Sequence, residues 1–152
     1  MENTSRYFQF EVDFVGSLRC IPMSVRFKLD SAGLKLKMSQ WGRLGVEERR
    51  ALAETPCETP EEIEAYRLLL SDMVQKRTGE SLSILPAGYD SDWKRENAPE
   101  GVLTRAIEIG VTISRDQWAA LHPLQRFALV KLVRPGHHGH NFKRALEEFG
   151  LF

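Results

Sequence analysis

Several things are scarce in this 152-residue chain, and each scarcity removes a class of protein. Cysteine occurs only twice, as Cys20 and Cys57, too few for a disulfide framework or a spaced zinc motif, which suits a reducing compartment. No run of about 18 apolar residues occurs, so the sequence offers no transmembrane helix. MENTSRYFQFEVDF lacks a basic region followed by an unbroken apolar run, so no export signal is expected and the default location is cytoplasmic. Net charge is also missing: 21 basic residues balance 21 acidic ones, which disfavours nucleic acid and anionic membrane as partners. There is no phosphate loop and no nucleophile with a base close in sequence, so catalytic residues are expected to be none and the protein is read as a non-enzyme without a cofactor of its own.

What is present is a stretch that occurs twice. Gly33 leads through Leu34 and Leu36 to Gln40, Trp41, Leu44, Arg49, Ala51 and Leu52; 77 positions later Gly110 leads through Val111 and Ile113 to Gln117, Trp118, Leu121, Arg126, Ala128 and Leu129. Aligned without gaps, residues 25–69 and 102–146 share ten identities, Val25, Arg67 and Leu69 with their counterparts among them, where unrelated pairs would share roughly three. The expected fold is therefore mainly α: a tandem duplication of a multi-helix unit sharing one core, preceded by an extended N-terminal arm. Residues 1–152 form a single domain of two repeats, about 23–79 and 100–150, joined by a linker at 80–99 that is rich in Ser, Gly, Pro and Asp.

Local signals place the elements. Phe8, Phe10, Val12 and Phe14 alternate with polar residues, the pattern of an extended segment with one buried face. Met23, Val25, Phe27 and Leu29 alternate likewise, but their counterparts Val102, Leu103, Ala106, Ile107 and Ile109 have helical spacing, and both segments end in a glycine. We read both as helices; an α+β alternative, with a small hairpin of residues 7–15 and 23–30, stays open. Ser114 with Gln117 forms a capping box for the second Trp helix, whereas the first offers Ser39. Gly45 to Glu48 and His122 to Gln125 open the next pair of helices, and Thr59-Pro60-Glu61-Glu62 opens a long one whose inner stripe is Ile63, Tyr66, Leu70 and Met73. Asn141 caps a last helix with Phe142, Ala145, Leu146 and Phe149 inward.

Candidate functional residues lie where the two copies differ. His137, His138 and His140 are three of the four histidines and could bind a transition metal, although no second pair completes a four-ligand site and an exposed loop is the simpler reading. Phe14, Arg19, Cys20 and Trp93 are candidate partner contacts. Arg19 beside Cys20 could activate a thiolate, yet free cysteine is more often a small buried hydrophobe. The matched Trp41 and Trp118 are core anchors, and Arg49 and Arg126 are helix caps or internal pairs before they are anion sites.

FQFEVDFVGSLRCIPMSVRFKLD, and GVTISRDQWAALHPLQRFALVKLVRPGH with the following NFKRALEEF, resemble the nitrate reductase-associated protein family over nearly the full length. That resemblance implies a small accessory protein whose genes tend to lie beside those for assimilatory nitrate reductase and molybdenum cofactor synthesis, and which supports nitrate reductase activity. Its partner would be the nitrate reductase polypeptide or a molybdenum cofactor-loading protein. The resemblance carries no catalytic residue set. Oligomeric state is left open, and a metal-binding or metal-carrying protein using His137–His140 is the alternative function.

Overall fold

The structure, a computed structural model, describes residues 8–11, 20–85, 92–133 and 139–152. Eight α-helices dominate these residues, with one two-stranded antiparallel ribbon and 3-10 turns at Gln9–Glu11 and Asp92–Lys94. The chain divides into two compact units: Glu11 groups with 20–85, and Phe8–Phe10 with 92–133 and 139–152.

The first unit contains α1 (Met23–Ala32), β1 (Leu34–Lys35), α2 (Met38–Arg43), α3 (Val46–Glu54), α4 (Pro60–Thr78) and β2 (Ser83–Ile84). Its core is built from Val25 and Leu29 of α1, the wholly buried Trp41, Leu52, and Tyr66, Leu70 and Val74 of α4. α4 begins as its sequence dictates. Thr59 accepts the Glu62 amide at 3.1 Å, and Glu62 Oε1 receives the amides of Thr59 and Glu58 at 3.1 and 3.0 Å. β1 and β2 pair Leu34 with Ile84 and Lys35 with Ser83, so the segment expected as plain linker contributes a strand.

The second unit contains α5 (Glu100–Glu108), α6 (Arg115–Ala120), α7 (Pro123–Leu132) and α8 (Gly139–Glu148). Trp118, Phe127, Leu129, Phe142 and Leu146 are its buried centre. Phe8 and Phe10 stack on one another and meet the Phe149 ring edge-on, while the Phe10 amide donates to Glu148 at 3.1 Å.

The same bonds recur 77 residues apart in the two units. Gly33 and Gly110 take left-handed φ of 71° and 88° and donate to Asp30 and Ile107, each ending its helix where a side chain would be strained. Gln40 accepts the Lys37 amide at 2.9 Å, and Gln117 the Ser114 amide at 2.8 Å. Glu48 and Gln125 accept the amides of Gly45 and His122, each at 2.8 Å.

Residues 23–30 are helical, as read, which removes the hairpin alternative: a single buried face of Val25, Leu29 and Ala32 outweighs the strand-like alternation. Four other expectations need correction. Gln9–Glu11 is a 3-10 turn and not part of an extended arm; the rest of the arm, 12–15, lies outside the described residues. Ser39 is not the α2 cap, because Gln40 reaches back to Lys37 and makes a hydroxyl unnecessary. Asn141 lies inside the first turn of α8, its Oδ1 buried without a partner among the described residues. The last helices also match at a different spacing: Tyr66, Leu70 and Met73 correspond in burial or ring contact to Phe142, Leu146 and Phe149, 76 positions on, so the Arg67 and Leu69 identities fall out of register.

The Glu62 carboxyl titrates below the ordinary range because the Thr59 and Glu58 amides favour its charged form. A depressed folded pKa stabilises above the unfolded value of about 4.3, and that contribution is lost as pH falls through the lowered one. The stability difference between the wild type and Glu62→Gln, followed by urea denaturation, is expected to be constant above about pH 5 and to shift in acid; a difference independent of pH throughout would contradict this.

Candidate functional site

α1 starts directly after Pro22, whose φ of −63° and ψ of 155° deliver the chain to the helix but whose side chain can cap nothing. The missing cap comes from Glu11, twelve residues upstream. Only 1% exposed, its Oε2 accepts the Met23 amide at 3.1 Å, placing a carboxylate at the positive end of the helix dipole. One turn further on, Arg26 donates its Nε to the Ile21 carbonyl at 3.1 Å. Burial pushes the Arg26 guanidinium below its usual pKa, while the nearby Cys20, Glu11 and Asp30 favour its charged form. Ser24, 6% exposed, has an Oγ without a hydrogen-bond partner among the described residues. Cys20 is half-buried at the edge of this group.

The corresponding positions in the second unit show that packing does not require this polarity. There, 77 residues later, Cys20, Ser24, Arg26 and Asp30 are replaced by Asn97, Gly101, Leu103 and Ile107. Burying charge is costly, and so is burying a hydroxyl that finds no partner among the described residues, so their presence in only one of two similarly folded helices marks the N-terminus of α1 as the candidate site. Sequence reasoning reached Cys20 but missed Glu11, Ser24 and Arg26. Aligning α1 with α5 position by position was the signal that could have found the last two.

Most other buried or half-buried cations terminate helices. Arg49 donates to the Trp41 and Gly42 carbonyls at 3.1 and 2.9 Å, and Arg126 to those of Trp118 and Ala119 at 3.1 and 2.8 Å. Lys28 reaches the carbonyls of Ala53 and Thr55 at 2.8 and 2.6 Å at the end of α3, and Arg67 reaches Ala32 at the end of α1; the exposed Arg43 likewise reaches Arg77 at the end of α4. These carbonyls are the groups a helix leaves unsatisfied, and the positive charges complement its C-terminal dipole. The recurring arginine is thus a cap, as expected.

The thiols differ in environment. Cys57 is buried, its Sγ donates to the Lys28 carbonyl at 3.7 Å, and burial raises its pKa. In the native protein a thiol reagent is expected to modify Cys20 first and Cys57 only on unfolding; equal rates at the two positions would contradict the packing.

Among the remaining predicted site residues, Phe14, Arg19, His137 and His138 lie outside the described residues, as does the side chain of His140, whose backbone is in the first turn of α8. Trp93 is half-buried, with Lys94 Nζ 5.3 Å from its ring centre. Among the described residues no cluster of three or more His, Cys, Asp or Glu is arranged to hold a metal, and no helix is long and apolar enough to cross a membrane.

Fold and site together define a mainly helical protein built around two Trp-centred three-helix arrangements, with a buried polar group at the start of α1. The chain belongs to the conserved nitrate reductase-associated protein family, whose sequence pattern matches residues 7–149. No curated protein and no solved structure matches it.

Proposed function

We propose that the protein is an accessory or maturation factor for molybdenum-dependent assimilatory nitrate reductase, acting in the cytoplasm by binding the nitrate reductase polypeptide or a molybdenum cofactor-loading protein. Family membership across nearly the whole chain carries this reading. We further propose that α1–α3 and α5–α7 descend from one duplicated module. The polar start of α1, absent from the second copy, would then be a later specialisation for the partner.

The test is genetic. Deleting the gene in a nitrate-assimilating host is expected to lower nitrate reductase activity while the reductase polypeptide is still made, and the wild-type gene restores it. Unchanged activity under nitrate-limited growth would overturn the proposal.

A further inference from the structure

We propose that the second unit carries a binding site for a small multivalent oxyanion, a phosphate or diphosphate group, in the cavity formed by the Asp92–Lys94 turn, the loop after it, and helices α6 and α7. The cavity has a volume of about 320 Å³ and is lined by Lys94, Arg95, Arg115 and Arg126 against only two acids, Glu96 and Asp116. That size is at the small end of ligand pockets. The local excess of positive charge stands out in a chain whose net charge is zero.

Two tethers fix the walls. The Trp118 indole Nε1–H donates to the Arg95 carbonyl at 3.0 Å, holding the loop on α6. Arg126 holds the other end of α6 through the Trp118 and Ala119 carbonyls, so its backbone geometry is set before any ligand arrives. Arg126 is thereby engaged in holding α6. In the first unit the same scaffold carries Arg49, but Met38, Ser39 and Gly42 stand where Arg115, Asp116 and Ala119 line the cavity. The fold therefore does not demand Arg115. Its guanidinium pairs with Glu96, which an incoming oxyanion would displace, taking the planar fork of donors that suits phosphate.

The proposal does not depend on the accessory role. It is tested by titrating inorganic phosphate and pyrophosphate into the isotope-labelled full chain at low salt and following amide shifts. Saturable shifts are expected at residues 94–96 and 115–119 and at the Trp118 indole, with pyrophosphate binding more tightly. Lys94→Gln and Arg115→Gln should each weaken binding by up to about fivefold, as exposed charge contacts do. Glu96→Gln should strengthen it by releasing Arg115, a gain that no general loss of structure produces. Arg43→Gln, in the first unit, should leave affinity unchanged. Salt at about 0.15 M, where screening acts over about 8 Å, should weaken every interaction. Shifts that do not saturate, that scatter over lysines outside the cavity, or that are unaffected by Glu96→Gln would overturn the site.

Discussion

Trp118→Ala is expected to destabilise the protein by about 3–5 kcal/mol, the cost of emptying a large, fully buried aromatic position. Trp118 is 0% exposed and is the hub of the second unit: its ring fills the centre, its indole holds the Arg95 carbonyl, and its own carbonyl receives Arg126. Trp118→Phe keeps an aromatic ring and removes the indole donor. The exposed Arg95 backbone can turn to water, so losing that bond alone should cost only about 1 kcal/mol, with ring shrinkage added. Trp41→Ala should cost about the same as Trp118→Ala, because Trp41 is equally buried and its carbonyl receives Arg49 in the same geometry. Chemical denaturation checks all three. A cost below about 1 kcal/mol for either alanine variant would show that the tryptophans are not the centres of their units.

Glu11→Ala is expected to cost about 3 kcal/mol, a large effect for a residue in a three-residue turn. The substitution removes a charged hydrogen bond to the Met23 amide, commonly about 1.5–3 kcal/mol. It also takes a compensating charge from the half-buried Arg26. Glu11→Gln retains an acceptor for the amide but not the charge, and should fall between the wild type and Ala. Combining Glu11→Ala with Arg26→Leu, the residue type present at the matching α5 position, should recover part of the loss by removing the uncompensated cation. If Glu11→Ala unfolds within about 0.5 kcal/mol of the wild type, the capping role assigned to it is wrong.

The parts of the fold that were legible in the sequence are those written in short-range pattern. The Thr59-Pro60-Glu61-Glu62 start, the Ser114 and Gln117 box and the glycine stops at Gly33 and Gly110 each need only neighbouring residues to act. α1 was ambiguous for a local reason: Met23, Val25, Phe27 and Leu29 alternate like a strand, and comparison with Val102 and Ala106 was needed to recover the helix. What stayed hidden was long-range. Nothing local tells that Glu11 caps a helix twelve residues on, or that Lys28 ends α3, because those contacts follow from packing and not from periodicity. Of the candidate site, Cys20 was visible as a lone thiol in a turn, while its setting beside the half-buried Arg26 was not. The recurring arginines were legible as a pair, and their carbonyl targets emerged only with the helices in place.

The accessory role has its most direct test in solution. Untagged protein is titrated calorimetrically into purified nitrate reductase in its apo and cofactor-loaded forms, and separately into a purified molybdenum cofactor-loading protein. Saturable binding near micromolar affinity or tighter to at least one of them, weakened by substitution at Cys20 or Arg26 in a variant that remains folded, is the predicted result. No binding to any of the three at concentrations well above micromolar would contradict the account.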